Sequence, residues 1–163
     1  MTNNDILRRI RYIFDFNDDK MIALFASADC EVTRAQISDW MKAEDDPAFK
    51  KLSDVLLATY LNGLINDKRG KKEGSQPVPE KKLTNNAIFM KLKIALNFQS
   101  EDILEIMELS DFRMSKHELS AFFRKAGHKH YRECKDQILR TFLKGLQKQY
   151  RNDDESDEGF KWK

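Results

Sequence analysis

The chain has 163 residues, of which 40% are hydrophobic and 34% charged, with 6 glycines and 3 prolines. That is room for one ordinary domain or two small ones. A collagenous or low-complexity chain is excluded, and no apolar run approaches the ~20 residues that cross a bilayer. The opening Met-Thr-Asn-Asn-Asp-Ile-Leu-Arg is neither a secretory signal nor an Arg/Ser-rich transit segment, which points to a cytoplasmic protein. The formal net charge of +2 hides an asymmetry, because residues 1–67 hold 8 Lys/Arg against 12 Asp/Glu and residues 83–151 hold 13 against 8. Such an asymmetry concerns docking and partners, not the fold.

In chain order, the first helix is predicted after Asn4, with Ile6, Leu7, Ile10, Ile13 and Phe14 at helical spacing. A second, capped by Asp18, carries Met21, Ile22, Leu24 and Phe25. Thr33 and Gln36 form a capping box that opens the third. Asp46-Pro47 is read as the start of a long fourth helix through Phe49, Leu52, Leu56, Tyr60 and Leu64, with proline at the first helical position. Leu57, Leu61 and Leu64 make a second apolar stripe on that helix, more than one buried face needs. It is read as an interface between repeats or between subunits. Residues 68–82, rich in Gly, Ser, Pro and Lys, read as a flexible basic linker.

The four elements then recur. A shift of 82 residues aligns the chain with itself without a gap over more than 60 positions. Thr2-Asn3-Asn4 falls on Thr84-Asn85-Asn86, Asp29 on Asp111 and Asp54 on Asp136. Leu57-x-Thr59-x-Leu61-x-Gly63-Leu64 falls on Leu139-x-Thr141-x-Leu143-x-Gly145-Leu146. Ser100 caps the copy of the second helix, and Ser115 with Glu118 repeats the capping box. The fold class expected is all-α: two tandem four-helix repeats, residues 1–67 and 83–151, followed by a disordered acidic tail, 152–163. Phe160 and Trp162 in that tail have no assigned part.

The pattern Thr-Asn-Asn-Asp-Ile-Leu-Arg-Arg-Ile-Arg-Tyr-Ile, then Ile37-x-x-Trp40-Met-Lys-x-Glu44-Asp45, then Phe-Leu-Lys-Gly-Leu at 142–146, resembles the YehS-like bacterial proteins. Tyr60-Leu61-Asn62-Gly63-Leu64-Ile65 and Arg132-Glu133-Cys134-x-Asp136-Gln137 fit it too. The resemblance spans residues 2–151 and implies a cytosolic bacterial protein made of two tandem copies of one domain. It carries over no catalytic or ligand residue.

The second and third helices of each copy, residues 20–28 with 33–42 and 101–109 with 115–125, read as helix-turn-helix-like pairs. Arg34/Lys116 and Lys42/Arg124 are basic in both copies, whereas Asp39, Glu44, Asp45 and Asp46 would repel phosphate from the first. The densest positive segment holds Arg124, Lys125, Lys129, Arg132 and Lys135, a candidate patch for nucleic acid or an acidic partner. Asp29, Asp111, Asp54 and Asp136 are candidate polar positions by repetition alone, with structural use favoured over acid–base chemistry. Gly63 and Gly145 are read as sites of close backbone approach. His128-x-His130 with Cys134 does not make a closed four-ligand zinc set, so no metal or cofactor is expected. Cys30 and Cys134 read as reduced core thiols. The expected function is a non-enzymatic interaction module binding protein, itself included. The alternative is nucleic-acid binding through the second repeat. No membrane and no small-molecule substrate are expected.

Overall fold

The computed structural model of the chain describes residues 1–152; the expectations for the acidic tail and its Phe160 and Trp162 fall outside them. Among the described residues there are eight helices and no strand: α1 Asn3–Phe14, α2 Asp18–Ser27, α3 Arg34–Met41, α4 Asp54–Arg69, α5 Asn85–Leu96, α6 Ser100–Leu109, α7 Lys116–Ala121 and α8 Asp136–Arg151. No helix there is long and apolar enough to cross a membrane. The two tandem four-helix repeats stand as the sequence predicts, with capping boxes at Thr33/Gln36 and Ser115/Glu118.

Several boundaries differ, for local reasons. Thr2, not Asn4, caps α1, in a capping box with Asp5. Asn17, not Asp18, caps α2, and Ser100 is the first residue of α6, preceded by Gln99. The fourth helix starts at Asp54 behind the cap Ser53, not at Asp46-Pro47. Asp46 makes a single turn instead, receiving the Ala48 N–H on its carboxylate and the Phe49 N–H on its carbonyl. The chain then runs without regular structure from Phe49 to Ser53, because Asn4 takes its backbone groups. The Asn4 amide donates to Lys50 O at 2.9 Å and Trp40 O at 3.0 Å, and its Oδ1 accepts from Leu52 N at 3.0 Å. Asn86 repeats all three bonds on Phe122 O, Arg132 O and Cys134 N.

α1, α4, α5 and α8 run in one direction through the core, to which α2, α3, α6 and α7 add Phe25, Trp40, Met107 and Leu119. Asn3 donates to Asp54 at 2.7 Å and Asn85 to Asp136 at 2.7 Å, which joins the starts of α1 and α4 and of α5 and α8. Across the repeats, Leu83 N donates to Asp54 at 2.9 Å and the Met1 nitrogen to Asp136 at 3.4 Å. All four N-termini therefore meet at one end. At the other, Lys68 lies 4.8 Å above the Phe14 ring and Arg151 pairs with Asp15 at 3.5 Å. Asp54 and Asp136 place carboxylates where parallel helix dipoles gather positive charge. The hydrogen bonds from Asn3 and Asn85, foremost among the causes, hold both carboxyls below their usual range.

The repeats pack through α4 against α5 and through α1 against α8. The 82-residue shift exchanges these two seams, as an isologous two-fold contact requires. The second apolar stripe is buried within the chain. Leu57 to Leu64 of α4 are buried without interruption, so this stretch of the helix is covered on all sides within the chain. Each seam also holds a polar tie donated from matched positions of α5 and α1. Lys91 of α5 donates to Asn62 of α4 at 2.6 Å, and buried Arg9 of α1 donates to Gln147 of α8. A parallel helix pair cannot be joined by a tight turn. The linker must return along the whole of α4, ~24 Å for sixteen residues, which explains its length.

Candidate functional site

The basic segment forms a loop between α7 and α8, with no helix over Arg124 to Lys135. The sequence extends the third helix of this copy to Lys125, but α7 ends at Ala121 after six residues. Gly127 turns the chain at φ 95°, in the left-handed region open to glycine, and Tyr131 N closes a turn on His128 O at 2.9 Å. Arg132 N bonds Ala121 O at 3.1 Å, and Asn86 holds the far side of the loop. The loop is thus a pinned platform on the N-terminal end of the core.

Its five candidate cations are all exposed, and two are partly engaged. Arg132 lies 5.7 Å from the Phe122 ring, and Lys135 pairs with Glu133 at 3.1 Å. Arg124, Lys125 and Lys129 have no side-chain partner among the described residues. Three imidazoles, two of them already paired in sequence, join these cations: His117 of α7 reaches His130, with ring centroids 6.3 Å apart, and His130 lies 5.6 Å from His128. Among the described residues no group of three His, Cys, Asp or Glu is placed to hold a metal ion. Cys134 is buried and burial pushes its thiol up to about 12; Cys30 is only partly buried, and burial raises its thiol too. Thiols so raised are poor nucleophiles and ligands. In the first repeat the same platform, pinned by Asn4, carries exposed Glu44, Asp45 and Asp46 instead.

The helix-turn-helix-like reading loses its cations to internal pairing. Arg34 pairs with Asp19 at 2.5 Å and Lys116 with Glu101 at 2.8 Å, the same two positions in each repeat. The Lys116 bond holds the Glu101 carboxyl below its usual range. Lys42 is turned onto Asp39 at 3.2 Å. These charges brace the helix pair and leave little for phosphate.

The four repeated aspartates are not gathered into one site. Asp54 and Asp136 tie helix starts. Asp29 and Asp111 follow α2 and α6 with φ 62° and 58°, a conformation that Asp and Asn tolerate better than most residues. Each repeats because the backbone requires it. Gly63 and Gly145 repeat because α2 and α6 pass so close that a Cβ would meet Leu24 C at 2.7 Å or Ile106 C at 2.9 Å.

One concavity has no counterpart in the sequence reading. The linker lies over the α4/α5 seam and borders a half-open cavity of about 660 Å³ lined by Ile65, Asn66, Gln76, Lys91 and Ile94. Its walls come from three separated segments, and only the parallel packing brings them together.

The family described as "Protein of unknown function (DUF1456)" matches residues 3–70 and again residues 85–152. The chain is 42% identical over 147 residues to "Uncharacterized protein YehS" of Escherichia coli (strain K12), covering 90% of this chain and 94% of that relative. No solved structure matches. The duplicated match coincides with the two structural repeats, and the chain belongs to the DUF1456 family as a tandem pair of its domain.

Proposed function

We propose that the chain is a non-enzymatic cytoplasmic interaction module whose second repeat binds an acidic protein surface through the 124–135 loop. The observation that carries this is the set Arg124, Lys125 and Lys129, exposed and without side-chain partners on a loop that Asn86 holds in place. Preorganised cations of one sign favour encounter with a complementary surface. The reading assigns no catalytic residues, because the repeated polar side chains Asn3, Asn4, Asp54 and their mates are spent on bonds to one another and to backbone. Self-association through the leucine stripes is set aside, since Leu57, Leu61 and Leu64 are buried within the chain.

A second reading, nucleic-acid binding, draws on the same cations. It is disfavoured by the six-residue α7 and by the pairing of Lys116. Anisotropy titrations of a labelled Glu/Asp-rich peptide and of duplex DNA separate the two. Peptide binding is expected to weaken as salt rises, and to fall about tenfold or more in the triple variant Arg124→Glu, Lys125→Glu, Lys129→Glu, some 1.4 kcal/mol. Tighter binding of DNA than of peptide would favour the second reading. Salt-insensitive or unchanged binding in the variant would overturn both.

A further inference from the structure

The two seams differ at one set of matched positions. On α5, Ala87, Met90 and Ile94 share a face at helical spacing, and the 82-residue shift pairs them with Asp5, Arg8 and Tyr12 of α1. The α1 set is polar and engaged: Arg8 pairs with Asp5, and Arg151 lies 4.4 Å from the Tyr12 ring. The α5 set is apolar and lines the half-open cavity beside the linker, where Ile94 stays exposed. Ile65 of α4 lines it too, whereas its mate Gln147 accepts from buried Arg9. The duplicated domain thus carries large polar side chains at these positions in one seam and apolar ones around a hollow in the other.

We propose that this cavity binds a small organic carboxylate, its apolar body against Ile65, Met90 and Ile94 and its charge toward Arg69 and Lys72. A volume of about 660 Å³ is that of a small-molecule pocket, and an apolar lining with a few fixed polar groups is its usual make-up. The polar groups here are held in place. Asn66 donates to Ser27 O at 3.1 Å and to the Gln76 side-chain oxygen at 2.8 Å, which leaves the Gln76 amide N–H groups without a partner among the described residues. Lys91 donates to Asn62 at 2.6 Å and pairs with Glu80 at 3.1 Å, so those two charges offset each other. What remains on the lining is Arg69 and Lys72 against Glu73, all exposed and none in an ion pair among the described residues. One surplus positive charge and free amide donors suit a monoanion, and the apolar wall requires that the anion carry a hydrocarbon body. The site is separate from the 124–135 loop and does not depend on the reading given to that loop.

Amide NMR shifts of the full chain, titrated with octanoate and with octan-1-ol, test both halves of the proposal. Octanoate is expected to produce saturating shifts centred on Ile65, Asn66, Gln76, Met90 and Ile94. Octan-1-ol, with the same hydrocarbon body and no charge, should move the same amides about fivefold more weakly, the scale of losing exposed charge pairs. Arg69→Gln with Lys72→Gln alters only exposed side chains and should bring octanoate down to the affinity of the alcohol. Met90→Arg with Ile94→Tyr installs the residues of the other seam and should end the binding of both probes. The absence of saturable octanoate shifts would overturn the proposal, as would binding untouched by either double variant. Equal affinity for the alcohol would overturn the carboxylate assignment. Shifts centred on residues 124–135 would place the anion on the basic loop and would likewise overturn it.

Discussion

Replacing Asn4 with alanine is expected to destabilise the protein by about 3–5 kcal/mol, since it strands two carbonyls and one N–H at ~1–3 kcal/mol for each buried group left unsatisfied. The side chain is fully buried and makes all three of its bonds to the irregular segment before α4 and to the end of α3. Water cannot reach Leu52 N, because Leu52 is itself buried. Against a total stability of roughly 5–15 kcal/mol, that loss leaves a marginal fold. Asn86→Ala should cost a similar amount and also release the basic loop at Arg132 and Cys134. Urea unfolding of the single variants checks this, and a loss under about 1 kcal/mol for both would contradict the role.

Gly63→Ala is expected to be the other severe substitution, against the sign that helix propensity gives. Alanine in the middle of a helix is favoured over glycine by ~1 kcal/mol. Here the added Cβ meets three backbone atoms of Leu24, with Leu24 C at 2.7 Å. Backbone cannot rotate aside as a side-chain tip does, so α2 must move off α4. The expected cost is about 3 kcal/mol or more, in the range of severe overpacking. Gly145→Ala should cost less, because one of its three close neighbours is the Ile106 side chain, which has some freedom to shift. Thermal melts of the two variants give the order, and a stabilised Gly63→Ala would show that the helices pack less closely.

Features encoded within one repeat were legible in the sequence. The duplication, the capping boxes at Thr33 and Ser115 and the close approach at Gly63 and Gly145 rest on short-range chemistry or on residue type. The start of the fourth helix was not, because Asp46-Pro47 has the local form of a helix opening. What overrides it is Asn4, which lies far away in sequence and claims Lys50 O and Leu52 N. The parallel core was also hidden, since it depends on Asp54 reaching Leu83 and Asp136 reaching Met1 across the repeats. The candidate cations could be counted from sequence, but their use could not: Lys116 is spent on Glu101, whereas Lys125 and Lys129 stand clear.

Two repeats form one parallel four-helix core, so neither half is complete alone. Sedimentation and thermal unfolding of residues 1–82, alone and mixed with residues 83–163, address this most directly. Alone, the first repeat exposes the faces of α4 and α1 that pack on α5 and α8, and uncovered apolar surface of that kind drives association. It is predicted to self-associate or to melt without a cooperative transition, and to regain a cooperative melt as a one-to-one complex with the second repeat. A monomeric first repeat that melts at the temperature of the full chain would contradict a shared core.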